Sequence, residues 1–217
     1  MPPLSLSAQE ALTTTRAVRK WLDFDRPVER AVIEECLEVA LQAPTGSNLQ
    51  NWQFLVITDA AQRSAIGGLY RQGWEIYKQM PGSALDVQFP DEKRQSGQER
   101  VIASAQYLVD HIHEVPVLVI PCISARTDAV PIILQSAIWG SIIPAAWSFM
   151  LAARDRGLGT SFTSLHLFFE EQAAQILGIP FGEVMQAGLI PTGYATRTNF
   201  RAAPREPLSS VLHWDRW

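Results

Sequence analysis

One uninterrupted apolar stretch limits the folds open to this chain. Between residues 129 and 153 the sequence contains no Asp, Glu, Lys or Arg, and a stretch of that length could cross a bilayer as a helix. It nevertheless carries Gln135, Ser141 and two prolines, and no second stretch of this kind occurs in the chain. A helix that is apolar on all sides is also typical of one buried in a soluble fold or in a dimer. We therefore predict a buried helix over about residues 131–156.

The composition elsewhere is that of a soluble globular protein. Of the 217 residues, 47% are hydrophobic and 18% are charged, and the net charge is −4. Such a weakly acidic surface has no general attraction for nucleic acid or for an anionic membrane, so neither is an expected partner. The N-terminal segment MPPLSLSAQEALTTTR lacks a basic region followed by an apolar one. No signal or transit peptide is expected, and the predicted location is the cytoplasm.

Hydrophobic periodicity predicts alternating helices and strands. The segment VERAVIEECLEVALQ, residues 28–42, places apolar residues on one face and glutamates on the other, which predicts an amphipathic helix closed by Pro44. The β-branched runs at 53–58 and 115–123 predict buried strands. Two further helices are expected between these strands, at about 60–80 and 91–112.

The second half of the chain continues this alternation. After the apolar helix, GLGTSFTSL predicts an extended segment, FEEQAAQIL a short helix that stops at Gly178, and VMQAGLIPTGY a fourth strand. Residues 197–217 form a tail with aromatic residues near its end. The order of elements predicts one α+β or α/β domain over residues 1–217.

Several kinds of chemistry have no motif in this sequence. There is no GxGxxG between a strand and a helix, no GxxxxGK[ST], no HExxH and no GxSxG. Cys36 and Cys122 have no metal-like spacing and are predicted to be reduced and buried. We therefore expect no metal site and no covalent hydrolytic mechanism.

Two arginines near the N-terminus could bind an anion. In TTTRAVRKW, Arg16 and Arg19 are three residues apart, and on a helix both guanidinium groups would lie on one face. Two such groups suit a phosphate. The adjacent Lys20 equally favours an ordinary solvated basic face, so both interpretations stay open.

The run QAPTGSNLQNWQ, residues 42–53, is rich in small polar groups. Its hydroxyls, side-chain amides and the backbone N–H groups around Gly46 would suit a flat heterocycle with a polyhydroxyl chain. An ordinary surface loop would have a similar composition. From its own residues, this segment is either a surface loop or the wall of a ligand site.

Taken together, these segments resemble a known family. RAVRKW, then APTGSNLQNWQF, GLGTSFTSLH, LGIP before a strand that ends in PTGY, and REPLSSVLHWDRW follow one another in the order and spacing of the nitroreductase family of FMN-dependent enzymes. The resemblance runs from about residue 12 to the end. It implies a three-layer α+β fold with a central mixed sheet flanked by helices. It also implies a homodimer with an FMN at each of two sites in the subunit interface. The long apolar helix would be buried between subunits, and residues 197–217 would form an arm around the partner.

The resemblance also assigns roles to individual residues. It makes Arg16 a phosphate or ribityl contact and places Arg19 as a cation beside the pyrimidine side of the flavin. The remaining implied cofactor contacts are Pro44, Thr45, Gly46, Asn48 and Gln50 for the FMN of the other subunit, the backbone of Ser164, Leu165, His166 and Leu167 at the flavin N5 edge, and Arg205 with Arg201 at the phosphate.

Two features depart from the family pattern, and one family contact has no assigned residue. Many members have two arginines and a serine where this chain has Thr15, Arg16 and Ala17, which would shift part of the phosphate contact to the C-terminal arginines. Many also have an asparagine on the apolar helix near the position of Trp147 or Ser148, and here Trp147 could instead crowd the active site. A further polar contact from residues 60–112 has no assigned side chain, and the candidates are Arg71, Gln72, Arg94 and Gln98.

The implied activity is that of an oxidoreductase. NADH or NADPH would reduce FMN by hydride transfer to N5, and a flat acceptor such as a nitroaromatic or a quinone would then take the electrons in a ping-pong cycle. The cofactor carries that chemistry, so the sequence names no catalytic side chain. The alternatives are a flavin-holding protein with little turnover and a variant that dehalogenates a substrate or fragments the flavin.

Overall fold

The structure is a computed structural model, and it describes residues 3–217. Within this range the helices are α1 (Ala8–Thr14), α2 (Arg30–Ala40), α3 (Ala60–Lys78), α4 (Glu92–His111), α5 (Ile132–Asp155) and α6 (Glu170–Leu177). The strands are β1 (Trp52–Ile57), β2 (Val117–Ile123), β3 (Leu158–Thr160), β4 (Met185–Gln186) and β5 (Ile190–Tyr194). Short 3₁₀ helices cover Gly46–Asn48, Leu165–Phe169 and Leu208–Ser210.

The strands form one central sheet in the order β1-β2-β5-β3, and β4 pairs with β2. In the register of β1 and β2, Trp52 lies opposite Ile123 and Ile57 opposite Leu118. Every ladder among residues 3–217 is antiparallel. Two helices, rather than the single helix of a βαβ unit, separate β1 from β2, so β2 enters the sheet from the opposite end. The central sheet is confirmed, but within the described chain its pairing is antiparallel rather than mixed.

Helices cover both faces of this sheet. On β2, Leu118 and Ile120 pack in a core cluster with α3, α4 and α6, whereas Val117 and Val119 pack in a second cluster with α2 and α5. Successive side chains of a strand point to opposite faces, so β2 is buried on both sides. This explains its continuous apolar sequence and confirms the three-layer α+β fold.

Helix α5 is buried along only part of its length. Toward its C-terminus, Phe149 and Ala153 lie in the core against α2 and the sheet. At its N-terminus, Ile132 and Ile133 are 82% and 74% exposed. By length and composition α5 could span a membrane, but half of it is a core element of this three-layer fold. The prediction of a buried helix is thus confirmed for the C-terminal half, and the other half presents an apolar face to solvent.

Most predicted helix ends are confirmed. Helix α2 ends at Ala40, with Leu41 as its C-cap, shortly before Pro44. Helix α6 ends at Gly178, whose φ of 70° is the left-handed conformation that glycine adopts most readily.

Cys36 and Cys122 are free and buried, as predicted. Burial raises the pKa of the first thiol to about 11 and of the second to about 12, so both stay protonated and unreactive.

The idea of a helical Arg16–Arg19 pair is wrong. Helix α1 ends at Thr14, and residues 15–19 are not helical. The Thr13 and Thr14 hydroxyls donate to carbonyls four residues earlier, a local bond that competes with helix continuation. Beyond this point the Val18 N–H donates to the Thr160 carbonyl at 2.8 Å. The segment therefore lies alongside β3 instead of extending α1.

Candidate active site

A pocket of about 630 Å³ lies between α3, α4 and the segment that follows β3. Its α3 wall consists of Tyr70, Trp74 and Tyr77, which recur at helical spacing and so lie on one face. Helix α4 contributes small and apolar side chains. The third wall comes from residues 162–168, whose 3₁₀ helix packs against α3. These three elements thus line an open cleft that has one aromatic wall.

Arg19 brings a positive charge into this pocket. Its Nη1–H donates to the Ser104 hydroxyl of α4 at 3.2 Å, and no carboxylate among residues 3–217 forms a salt bridge with it. Burial lowers the pKa of Arg19, and the neighbouring Tyr70 acts in the opposite direction. Because a guanidinium remains protonated in proteins, this is a desolvated cation without a counter-charge. Such a cation favours an anionic or electron-rich ligand.

Two hydrogen bonds fix the aromatic wall. The Tyr70 hydroxyl is 3.0 Å from the Thr163 hydroxyl, which ties α3 to the segment after β3. The Trp74 Nε1–H donates to the Gln106 side-chain carbonyl at 2.7 Å, which ties α3 to α4. Burial raises the pKa of Tyr70, so its phenol stays neutral. The wall is therefore set by hydrogen bonds as well as by packing.

The predicted stretch from Ser164 to Leu167 reaches the pocket. Ser164, Leu165 and Leu167 line it. The His166 side chain instead lies fully buried beneath it, and burial lowers the pKa of His166 to about 4, although the Gln186 amide beside it acts in the opposite direction. Neither ring nitrogen has a hydrogen-bond partner of good geometry within residues 3–217. The imidazole is thus a neutral core group, and only its backbone can contribute to a site.

Arg16 lies away from the Arg19 pocket. Its Nη2–H donates to the Arg201 carbonyl, and its guanidinium lies 5.8 Å from the centre of the Phe200 ring. The guanidinium of Arg154, near the end of α5, lies 5.0 Å from the centre of the same ring. Its Nη2–H donates to the Thr198 carbonyl at 2.7 Å. Burial, and then the charge of Arg16, lower the pKa of Arg154. Two guanidinium groups and the start of the tail therefore form a separate basic cluster.

The C-terminal arginines are exposed. Arg205 donates only to the neighbouring Pro204 carbonyl within the described chain, and the side chain of Arg201 lies in solvent. The next residue of the tail, Glu206, forms a salt bridge with Arg94 at the start of α4. The tail thus passes from the Arg16 cluster to α4, close to the elements that form the pocket.

The loop at Pro44, Thr45, Gly46, Asn48 and Gln50 does not line this pocket. Its Gly46 N–H donates to the Ser141 hydroxyl of α5 at 3.0 Å. A Cβ on Gly46 would lie 3.2 Å from the Ala137 Cβ, so the loop sits directly on the exposed part of α5. Ser47, Asn48 and Gln50 all have positive φ, near 50°. Non-glycine residues held in this conformation often mark functional sites.

The sequence of this fold matches an established family. A family model described as the nitroreductase family covers residues 12–194. The chain belongs to the nitroreductase family. Among curated relatives of this family member, the 4-nitrobenzoate reductase of Nocardioides sp. (strain LMS-CY) is 28% identical, over 99% of this chain and 94% of the relative.

Solved structures of other nitroreductase-like proteins share the fold. A single-residue mutant of the FMN- and NADPH-dependent nitroreductase from Sphigopyxis sp. strain HMH has a TM-score of 0.71 and 24% identity, covering 98% of this chain and 100% of that one. Iodotyrosine deiodinase bound to FMN and 3-iodo-L-tyrosine has a TM-score of 0.72 and 17% identity, covering 96% and 99%. At these identities the likeness shows the fold.

The structure adds candidate site residues to those that the sequence of this nitroreductase-family member indicated. Tyr70, Trp74 and Ser104 come from the range 60–112, in which no contact could be chosen. Their helical periodicity shows only that they face the interior. Arg154 gave no signal because it lies in the last turn of the apolar helix, where a cation is expected simply to favour the helix C-terminus. No sequence signal distinguished these four side chains from ordinary core or cap residues.

Proposed function

We propose that this nitroreductase-family protein is a cytoplasmic, FMN-dependent NAD(P)H oxidoreductase that acts as a homodimer on a flat acceptor such as a nitroaromatic or a quinone. The observation that carries this proposal is Arg19, a desolvated cation without a carboxylate partner in an aromatic-lined cleft. A flat ring with carbonyl oxygens that gains negative charge on reduction fits that environment.

The residues present fit FMN at both of its ends. Arg19 would lie beside the pyrimidine side of the ring, and the backbone of Ser164, Leu165, His166 and Leu167 would follow its N5 edge. At the other end, Arg16 has its Nε among the buried polar atoms without a hydrogen-bond partner in residues 3–217. A phosphate would satisfy such a donor. Arg201 and Arg205 in the nearby tail would supply further charge.

When bound, FMN supplies the redox chemistry, because it accepts a hydride from NADH or NADPH and passes the electrons to the acceptor. The role of the protein is to bind the cofactor, to orient it and to shield it from solvent. Tyr70, Trp74 and Tyr77 form one wall of the cleft, against which an aromatic acceptor would pack. Arg19 stabilises negative charge on its ligand, and this effect is stronger in a cleft that excludes water.

The homodimer is proposed from the exposed face of α5. Ile133, Gly140, Ile143 and Trp147 lie along it at helical spacing, and all are exposed. A contiguous apolar face of this kind is typical of an interface. The loop of Pro44, Thr45, Gly46, Asn48 and Gln50 sits on the same helix, so pairing through α5 would carry it toward the partner's cofactor. The tail 197–217, with Trp214 and Trp217 exposed, would serve as the arm around the partner.

Purified protein tests this proposal directly. We expect it to take up FMN, to show a bound-flavin absorbance spectrum and to oxidise NADH or NADPH when a quinone or a nitroaromatic is supplied. Protein that binds no FMN would contradict the proposal at its base. FMN-loaded protein without turnover on any acceptor would instead support the flavin-holding alternative.

A further inference from the structure

The orientation of Arg19 depends on a single hydrogen bond. Among residues 3–217, the only partner of its guanidinium is the Ser104 hydroxyl, at 3.2 Å from Nη1. A guanidinium is a planar fork whose donors keep fixed positions relative to one another. One bond on one side of the fork therefore restricts how the whole guanidinium can turn, and Arg19 lines the pocket.

Ser104 itself stands behind the pocket wall. It lies on α4, next to Ala105 and one turn from Val101, both of which line the pocket, and it is half-buried. The helix is fixed at its start, where the Asp91 side chain accepts from the Arg94 N–H at 2.7 Å. A serine hydroxyl has two acceptor positions and few rotamers, so on a rigid helix it is a well-defined anchor.

Tyr70 is a second neighbour of Arg19. Its ring lines the same pocket beside Arg19, and its hydroxyl is held by Thr163 at 3.0 Å. Arg19 thus has a packing neighbour that restricts its position and a hydrogen-bond acceptor that sets its rotation. No other hydrogen bond or salt bridge within residues 3–217 holds this guanidinium.

We propose that Ser104 is a positioning residue that holds the Arg19 guanidinium toward the flavin ring and thereby sets the reduction potential of bound FMN. The inference rests on the proposed function, because it requires FMN in the Arg19 pocket. Charge placed in advance where negative charge develops favours the charged state more than the neutral one. Loss of the anchor should therefore weaken the binding of reduced FMN more than that of oxidised FMN.

Ser104→Ala removes the acceptor with little change of volume. We expect the affinity for reduced FMN to fall about tenfold relative to oxidised FMN, which lowers the two-electron midpoint potential by about 30 mV. Ser104→Cys, whose thiol is a weak acceptor, should lower the potential in the same direction. Ser104→Thr keeps the hydroxyl and should restore a potential near that of the wild type.

The same helix offers a matched control. The Ser96 hydroxyl also accepts from an arginine, Arg100, at 2.6 Å, but on the exposed side of α4. Ser96→Ala removes an equivalent bond and should leave the potential unchanged. The measurement is a spectroelectrochemical titration of each FMN-loaded variant, together with the dissociation constant of oxidised FMN and a circular dichroism melting curve.

The outcomes separate this inference from the one on which it rests. FMN-loaded Ser104→Ala and Ser104→Cys with the potential of Ser96→Ala would overturn the role of Ser104 alone. A threonine variant that fails to restore the potential would also count against it. Wild-type protein that binds no FMN would overturn the proposed function, and this inference with it.

Discussion

Gly73 of α3 lies directly against the backbone of Leu165: a Cβ atom added to Gly73 would be 2.1 Å from the Leu165 carbonyl oxygen. Only glycine permits this approach. It lets the 3₁₀ helix Leu165–Phe169 pack on α3 and so complete the third wall of the Arg19 pocket.

Gly73→Ala should therefore damage both stability and the pocket. The clash is with backbone, so the 3₁₀ helix or α3 has to move, and we expect a loss of about 1–3 kcal/mol in the free energy of unfolding. FMN binding should weaken because Ser164 to Leu167 shift. Gly68→Ala is the control on the same helix, since its added Cβ would meet no atom within 4 Å. It should stabilise by up to about 1 kcal/mol. Urea unfolding and FMN titration check both, and equal stability of the two variants would refute the close approach.

Arg19→Ala should change the redox properties of the bound cofactor. Removing the cation should weaken the binding of reduced FMN more than that of oxidised FMN. The midpoint potential should then fall by about 30 mV or more, which corresponds to a tenfold or larger difference between the two changes in affinity. Lys20→Ala removes an exposed neighbouring charge and should have little effect, because exposed charges are screened by solvent. A potential that does not differ between the two variants would contradict the role of Arg19.

Elements with strong periodicity could be predicted from sequence, and special backbone geometry could not. Helix α2 follows from its apolar face, and β2 from its continuous β-branched run, because burial of a face or of a whole strand leaves a pattern. The end of α1 at Thr14 depends instead on hydroxyl bonds and on the pairing of Val18 with Thr160. That competition between local and tertiary contacts leaves no period in the sequence.

The residues of the candidate site can likewise be separated into those that the sequence indicated and those that it did not. Motifs singled out Arg19 and residues 164–167 as candidates, and the structure places Arg19, Ser164, Leu165 and Leu167 around one pocket. Arg16 proved to lie on a different cluster, because its neighbours come from the tail, far away in sequence. Ser104 and Tyr70 were not found, since a hydroxyl or phenol on an inward helix face is indistinguishable from core until the opposing side chain is known.

His166 should make stability depend on pH. Burial lowers the pKa of His166 to about 4 in the folded state, whereas an unfolded histidine has a pKa of about 6.5. Between these values the unfolded state binds the proton and the folded state does not, so stability falls as pH drops from about 6.5 toward 4. The full effect is about 3 kcal/mol.

His166→Gln should remove this contribution and flatten the dependence of unfolding free energy on pH in that window. His213→Gln, in the exposed tail, is the control and should keep the wild-type slope. Urea unfolding at a series of pH values gives the slopes. The idea of a buried neutral imidazole fails if His166→Gln and the wild type lose stability in parallel.

The C-terminal arginines should discriminate FMN from riboflavin, which lacks the phosphate. Arg205→Ala and Arg201→Ala should each weaken FMN binding roughly tenfold to a hundredfold, which is the range for a lost hydrogen bond between charged groups. Both variants should bind riboflavin as the wild type does. Arg197→Ala is the matched control in the same tail, because its Nε–H already donates to the Asn199 side chain at 2.9 Å. Fluorescence titrations with both flavins measure the ratio. Equal losses for FMN and riboflavin would argue against a phosphate contact.

Ile133→Glu should test whether the polar loop serves the cofactor of a second subunit. Ile133 is 74% exposed on the apolar face of α5, and a buried unpaired carboxylate there would oppose pairing of two such faces. We expect a monomer in sedimentation velocity and, because Pro44 to Gln50 can then reach no partner, loss of FMN. Ile176→Glu places the same charge on α6, where Ile176 is 40% exposed, and should remain dimeric and flavin-loaded. A dimeric Ile133→Glu protein would exclude this face of α5 as the interface. A monomer that keeps its FMN would show that the loop is not required in the second subunit.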